Sequence, residues 1–148
     1  MNRKFIFALI LMVVFSTANA TTEFRQCMYG VLAKPLPSVT INPDPVDPGK
    51  LVTFNVSGTI PTKITEHTAI QAYYYDLKNG EYIDDKYIES ICTGTGCSIE
   101  ANAPYTKIFK FLAPPNLPSR YLIEVNVREK SGGEILACAC TVQFYPPR

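Results

Sequence analysis

Arg120-Tyr121-Leu122-Ile123-Glu124-Val125-Asn126-Val127-Arg128 decides the fold. Tyr121, Ile123, Val125 and Val127 face away from Glu124, Asn126 and Arg128, and a period of two is the spacing of a strand. Outward from it, Gly132-Gly133 turns the chain into a last strand, Ile135 to Tyr145, with Leu136, Cys138, Cys140, Val142 and Phe144 on one side. Upstream, Pro114-Pro115-Asn116-Leu117-Pro118 separates it from Tyr105 to Leu112. There Tyr105, Phe109 and Phe111 oppose Thr106 and Lys110, while Lys107 and Ile108 blur the pattern. The hairpin dipeptide Asn79-Gly80 joins a strand at Ile70 to Tyr75 to a return through Glu81 to Ser90. Lys50 to Gly58 sets Val52, Phe54 and Val56 against Thr53, Asn55 and Ser57, and the short strand Val39-Thr40-Ile41 ends in the prolines of residues 43–49. Six or seven such strands without a convincing helix predict an all-β fold, an antiparallel sandwich of about immunoglobulin size.

Arg3 and Lys4 precede an apolar run from Phe5 to Phe15, and Ala18-Asn19-Ala20 supplies small residues for cleavage. The run is shorter than the roughly 20 residues that cross a bilayer, so residues 1–20 read as a secretory signal and residues 21–148 as one domain. Without Arg3 and Lys4, the 14 basic residues become 12 against 13 acidic ones. A near-neutral chain lacks the cationic excess that grips nucleic acid by charge, and no nucleic-acid partner is expected.

All five cysteines follow residue 20 and enter an oxidising route. Cys92 and Cys97 bracket Thr93-Gly94-Thr95-Gly96, which can fold back far enough for a disulfide. Cys138 and Cys140, two apart on one strand face, are poorly placed to bond each other, so Cys27 pairs with one of them.

Catalytic chemistry is hard to find. Gly-x-Ser-x-Gly is absent, His67 stands alone between two strands, and Asp84-Asp85 point to opposite faces of a strand. Cys138-Ala139-Cys140 has the wrong spacing for a zinc knuckle. No enzyme activity, metal or cofactor is expected. Asn55-Val56-Ser57 fits a glycosylation sequon on the polar face of its strand.

Fourteen of the seventeen Tyr and Phe fall after the signal, and such walls suit either a plain core or a cavity for an apolar ligand. An ordered set of motifs favours the cavity. Cys27 with Tyr29-Gly30, Val39-Thr40-Ile41-Asn42-Pro43-Asp44-Pro45, and Pro48-Gly49-Lys50 running into Phe54-Asn55-Val56-Ser57-Gly58-Thr59 resemble the opening of the ML lipid-recognition domain. Cys92-x4-Cys97, Pro118-Ser119-Arg120-Tyr121 and Gly133-Glu134-Ile135-Leu136-Ala137-Cys138 are similar to the rest of it. The chain looks closest to the family's phosphatidylglycerol/phosphatidylinositol transfer proteins, which are related to the Niemann-Pick cholesterol carrier. The resemblance implies an immunoglobulin-like sandwich with a lipid cavity between its sheets, and disulfides Cys27–Cys138 and Cys92–Cys97; Cys140 is extra to the pattern.

The same resemblance implies a secreted, lysosomal or vacuolar lipid-binding and transfer protein, a monomer in transient contact with membranes. Its ligand would be a phospholipid or sterol. The inward, lipid-binding positions expected are Val52, Phe54, Val56, Ile70, Ala72, Tyr74, Phe109, Phe111, Tyr121, Ile123, Val125, Val142 and Phe144, with Lys107, Lys110 and Arg120 as cations for a head group. The alternative is an immunoglobulin-like protein-recognition or lipid-sensing module without transfer.

Overall fold

The structure, a computed structural model, describes residues 21–27, 34–130 and 133–146. The signal expected over residues 1–20 lies outside the described residues, as do Tyr29-Gly30 and Gly132 of the last turn. The strands are β1 (Arg25–Gln26), β2 (Ser38–Asn42), β3 (Leu51–Gly58), β4 (Ile64–Thr65), β5 (Thr68–Asp76), β6 (Glu81–Ser90), β7 (Ser98–Ile99), β8 (Tyr105–Leu112), β9 (Arg120–Glu129) and β10 (Ile135–Phe144). No helix occurs among the described residues. One sheet has the order β1-β10-β9-β5-β6 and the other β2-β3-β8, while β4 and β7 form a small separate pair. Every pairing is antiparallel, which gives the expected immunoglobulin-like sandwich.

Register aligns the apolar faces. Ile70, Ala72 and Tyr74 of β5 lie opposite Val127, Val125 and Ile123 of β9. In the facing sheet, Val52 and Phe54 of β3 lie opposite Phe111 and Phe109 of β8. With Val56 and Tyr121, these residues form the core, all buried except Phe111, which packs against it half-buried.

The polar face of β9 is buried as well, with Glu124 only 2% and Asn126 1% exposed. β1 pairs with β10, and Cys27 bonds Cys138, so the N-terminal segment is pinned beside that outer face. There the polar groups pair with one another. Asn126 Nδ2 donates to Glu124 Oε1 at 3.0 Å, and Arg128 donates to Gln71 Oε1 at 3.3 Å and to the Gly133 carbonyl at 3.0 Å.

One expectation changes: Val142 and Phe144 do not point inward; they are 40% and 39% exposed. Alternation established only that they share a face with Cys138. Ala139 opposite Val125 and Thr141 opposite Ile123 occupy the inner side of β10, and the Cys27–Cys138 bond holds the other parity outward. Both disulfides join the implied partners, and Cys140 Sγ contacts the Gln26 carbonyl at 3.7 Å.

Candidate functional site

β6 and β8 each end their sheet, and they meet along one edge of the sandwich through side chains. Tyr87 of β6 stacks on Phe109 of β8 with centroids 4.4 Å apart, and Phe109 stacks in turn on Phe54 at 5.1 Å. Three parallel rings therefore run from the edge to the centre. Phe111 adjoins Tyr74 at 5.3 Å and Tyr87 at 5.8 Å, and Tyr74 adjoins Tyr121 at 6.2 Å. Rings in mutual contact fill the middle of the sandwich.

A polar bridge spans the same edge. Lys107 Nζ lies 2.8 Å from Glu89 Oε1, and the Tyr87 hydroxyl donates to Glu89 Oε2. Strand geometry explains how these groups meet. In β8, Tyr105, Lys107, Phe109 and Phe111 share the inner parity, facing Gly58, Val56, Phe54 and Val52 of β3, which turns Ile108 out to 62% exposure. Lys107 thus extends along an aromatic wall and reaches Glu89 at its rim. In β6 the ladder shifts between Ala72 and Tyr74, so that Ala72 faces Tyr87 while Tyr74 faces Ile83. Asp84, at φ 59°, lies in the intervening bulge.

Electrostatics follow from this packing. The hydrogen bond from Lys107, then that from Tyr87, holds the Glu89 carboxyl below the usual glutamate range. Burial, then the neighbouring Glu89, raises the Tyr87 phenol. Burial pushes Tyr105 up to about 12; burial and then Asp44 do the same to Tyr121; burial and then Tyr121 raise Tyr74 further. These phenols are neutral at any physiological pH. The hydroxyls of Tyr74 and Tyr105 are buried without a hydrogen-bond partner.

Of the expected inward residues, Val52, Phe54, Val56, Ile70, Ala72, Tyr74, Phe109, Phe111, Tyr121, Ile123 and Val125 come together here, and Val142 and Phe144 do not. Lys107 joins the site, whereas Lys110 and Arg120 are exposed. Tyr87 and Glu89 are additional members. Their strand carries Tyr82 and Ile88 on its exposed face, which masks its inward side, and the one available signal was a lysine interrupting the aromatic face of β8. Asn55 is exposed on the outer face of β3. Asp84 and Asp85 are exposed, and His67, itself exposed, has its Nε2 3.6 Å from Glu66.

A two-layer antiparallel sandwich, with an aromatic interior that reaches a side-chain-held edge, defines the class as immunoglobulin-like. The chain belongs to the ML-domain family, whose model matches residues 21–144. Chicken MD-1, solved in complex with lipid IVa, is similar with a TM-score of 0.52 at 13% identity, covering 82% of this chain and 88% of that one. Spo0M, a sporulation control protein of Bacillus subtilis, is similar at a TM-score of 0.45 and 18% identity, over 76% of this chain and 49% of that one. No protein with a curated description matches the sequence.

Proposed function

We propose that the protein binds a lipid by admitting its apolar tail between the two sheets at the β6–β8 edge, and that it carries the lipid between membranes. The observation that carries this reading is the ring stack Tyr87-Phe109-Phe54, which leads from that edge into the core behind one ion pair. Membership of the ML-domain family supports it, and so does the ability of the same fold in chicken MD-1 to hold lipid IVa.

The energetics suit a carrier. A 16-carbon tail in water is unfavourable by roughly 13 kcal/mol at about 0.8 kcal/mol per CH2, so unaided desorption from a bilayer is slow. Exchanging ring-ring contacts for ring-alkyl contacts keeps apolar surface out of water, which leaves the edge bridge as the main polar interaction to be broken. The lipid-contacting side chains are then Val52, Phe54, Val56, Ile70, Ala72, Tyr74, Phe109, Phe111, Tyr121, Ile123 and Val125, with Tyr87 and Glu89 at the mouth. The ligand is a phospholipid such as phosphatidylglycerol or phosphatidylinositol, or a sterol. Two disulfides suit a secreted protein or one in the lumen of a lysosome or vacuole, working as a monomer that touches membranes briefly.

Organic extraction of the purified protein followed by mass spectrometry should yield lipid, and vesicle assays should show transfer above blank. Competition between labelled sterol and labelled phosphatidylinositol assigns the class. Protein that is free of lipid and inactive in transfer refutes the proposal.

A further inference from the structure

The opposite, outer face of the five-stranded sheet carries a separate cavity of about 260 Å³. It is bounded by Tyr73, Tyr75 and Tyr82, by Leu122 and Glu124, and by the Cys27–Cys138 disulfide. Drug-sized ligands occupy roughly 300 Å³ and upward, so this cavity suits a smaller group.

Its chemistry is specific. Glu124 is 2% exposed; Oε1 accepts from Asn126, and Oε2 has no hydrogen-bond partner. A buried carboxylate oxygen without a donor costs free energy unless a ligand satisfies it. Beside it the Tyr82 ring meets Tyr73 edge-on at 4.9 Å and Tyr75 at 5.4 Å, an arrangement that presents ring faces to a cation. The protein already uses those faces in this way, because Lys86 Nζ sits 3.6 Å from the Tyr82 centroid and 5.5 Å from that of Tyr73.

Lys34 also lines the cavity, but its ammonium pairs with Glu134 Oε1 at 2.5 Å, and Glu124 Oε2 is left without a hydrogen-bond donor. A metal ion is disfavoured. The sulfurs of Cys27 and Cys138 lie within 4.8 Å of a Glu124 carboxylate oxygen, but they are bonded to each other and are not thiolate ligands.

We propose that this cavity binds a small organic ammonium cation, with Glu124 Oε2 as its counter-charge and the rings of Tyr73, Tyr75 and Tyr82 as its walls. The ammonium group belongs to a free amine or to a choline- or ethanolamine-type lipid head. The site lies across the sheet from the interior and does not depend on the lipid-carrier reading.

The test is calorimetric titration of the intact, disulfide-bonded protein at fixed ionic strength with choline chloride, ethanolamine and the neutral carbon isostere of choline. Either cation should bind and the isostere should not. Glu124→Gln should weaken binding about thirtyfold or more, the usual scale for removing one partner of a desolvated charge pair. Should that variant fail to fold, Tyr82→Leu, at a position 51% exposed, should still weaken it about three- to fivefold.

Phosphatidylcholine vesicles form a second arm. Binding to free choline assigns a soluble amine, vesicle binding that Glu124→Gln or Tyr82→Leu weakens assigns a lipid head, and either supports the site; vesicle binding that both variants keep belongs to the interior and does not. Equal binding of the isostere, preference for inorganic phosphate, unchanged affinity in both variants, or no binding in either arm overturns it.

Discussion

Replacing Lys107 with methionine isolates the edge bridge. Methionine keeps the length and apolar character of the lysine stem along the aromatic wall and removes only the ammonium that reaches Glu89. The size of the effect follows from exposure. The Lys107 side chain is 12% exposed and that of Glu89 42%, so the pair lies between a solvated ion pair, worth about 0.2–1 kcal/mol, and a buried one, whose disruption costs about 3–5 kcal/mol. Solvent access to Glu89 places it nearer the lower end, at about 1–2 kcal/mol. If the sheets part at this edge to exchange lipid, Lys107→Met raises the open population, and with it the exchange rate, about five- to thirtyfold at about 1.4 kcal/mol per tenfold.

Stopped-flow release of a fluorescent lipid into acceptor vesicles measures that rate, with circular dichroism as the check on folding. Acid supplies an internal control. Glu89 titrates below its ordinary value in the folded state, so the bridge stabilises fully above the unfolded pKa of about 4.3 and is lost as pH falls through the lower folded value. Wild-type exchange should accelerate only in that acid window and should there converge on the rate of Lys107→Met. Rates within twofold of each other at neutral pH, or a gap that persists in acid, would refute the edge as the route.

Tyr74→Phe removes a buried hydroxyl that has no partner, so it should raise stability by about 1 kcal/mol in denaturant melts; a loss of similar size would reveal a hidden partner. Phe109→Ala deletes the middle ring of the stack and should cost about 3–5 kcal/mol, whereas a cost under about 1 kcal/mol would mean the interior is already loose. Removing Cys27–Cys138, with a sequence separation of 111, should destabilise by about 4.8 kcal/mol in the chain-entropy model. Removing Cys92–Cys97, at a separation of 5, should cost about 2.1 kcal/mol, and equal losses would contradict that ordering.

Legibility in the sequence tracked how much of each feature is local. β3 and β9 were plain because one face of each is apolar at strict period two, and the Asn79-Gly80 turn marked where β6 begins. The burial of the outer face of β9 was not legible, because Glu124 and Asn126 are covered through a bond between residues 27 and 138, a contact that no local pattern carries. The direction of Val142 and Phe144 failed for a related reason: period two states which residues share a face but not which face is inward. Tyr87 and Glu89 were hidden because β6 turns apolar Tyr82 and Ile88 outward, at 51% and 60% exposure, while Glu89 shares the inward parity of Ile83 and Tyr87, so hydrophobicity does not mark one face. The family resemblance contributed the cysteine pairing, since spacing alone left Cys138 and Cys140 as equal partners for Cys27.

The two edges of the five-stranded sheet are restrained by different means. At one edge β1 and β10 are tied by the Cys27–Cys138 bond, which survives any thermal fluctuation. At the other, β6 meets the second sheet through rings and one ion pair, interactions that break and re-form with each opening. Global stability and edge opening therefore depend on separate parts of the molecule. Loss of the long disulfide constrains the unfolded chain less and should lower the melting temperature, while leaving lipid exchange near the wild-type rate in protein that remains folded. Lys107→Met should do the reverse, with a large gain in exchange for a small loss of stability. A sandwich that opened by general loosening would instead show both properties changing together in both variants. The pair of measurements thus distinguishes a hinged edge from a softened core.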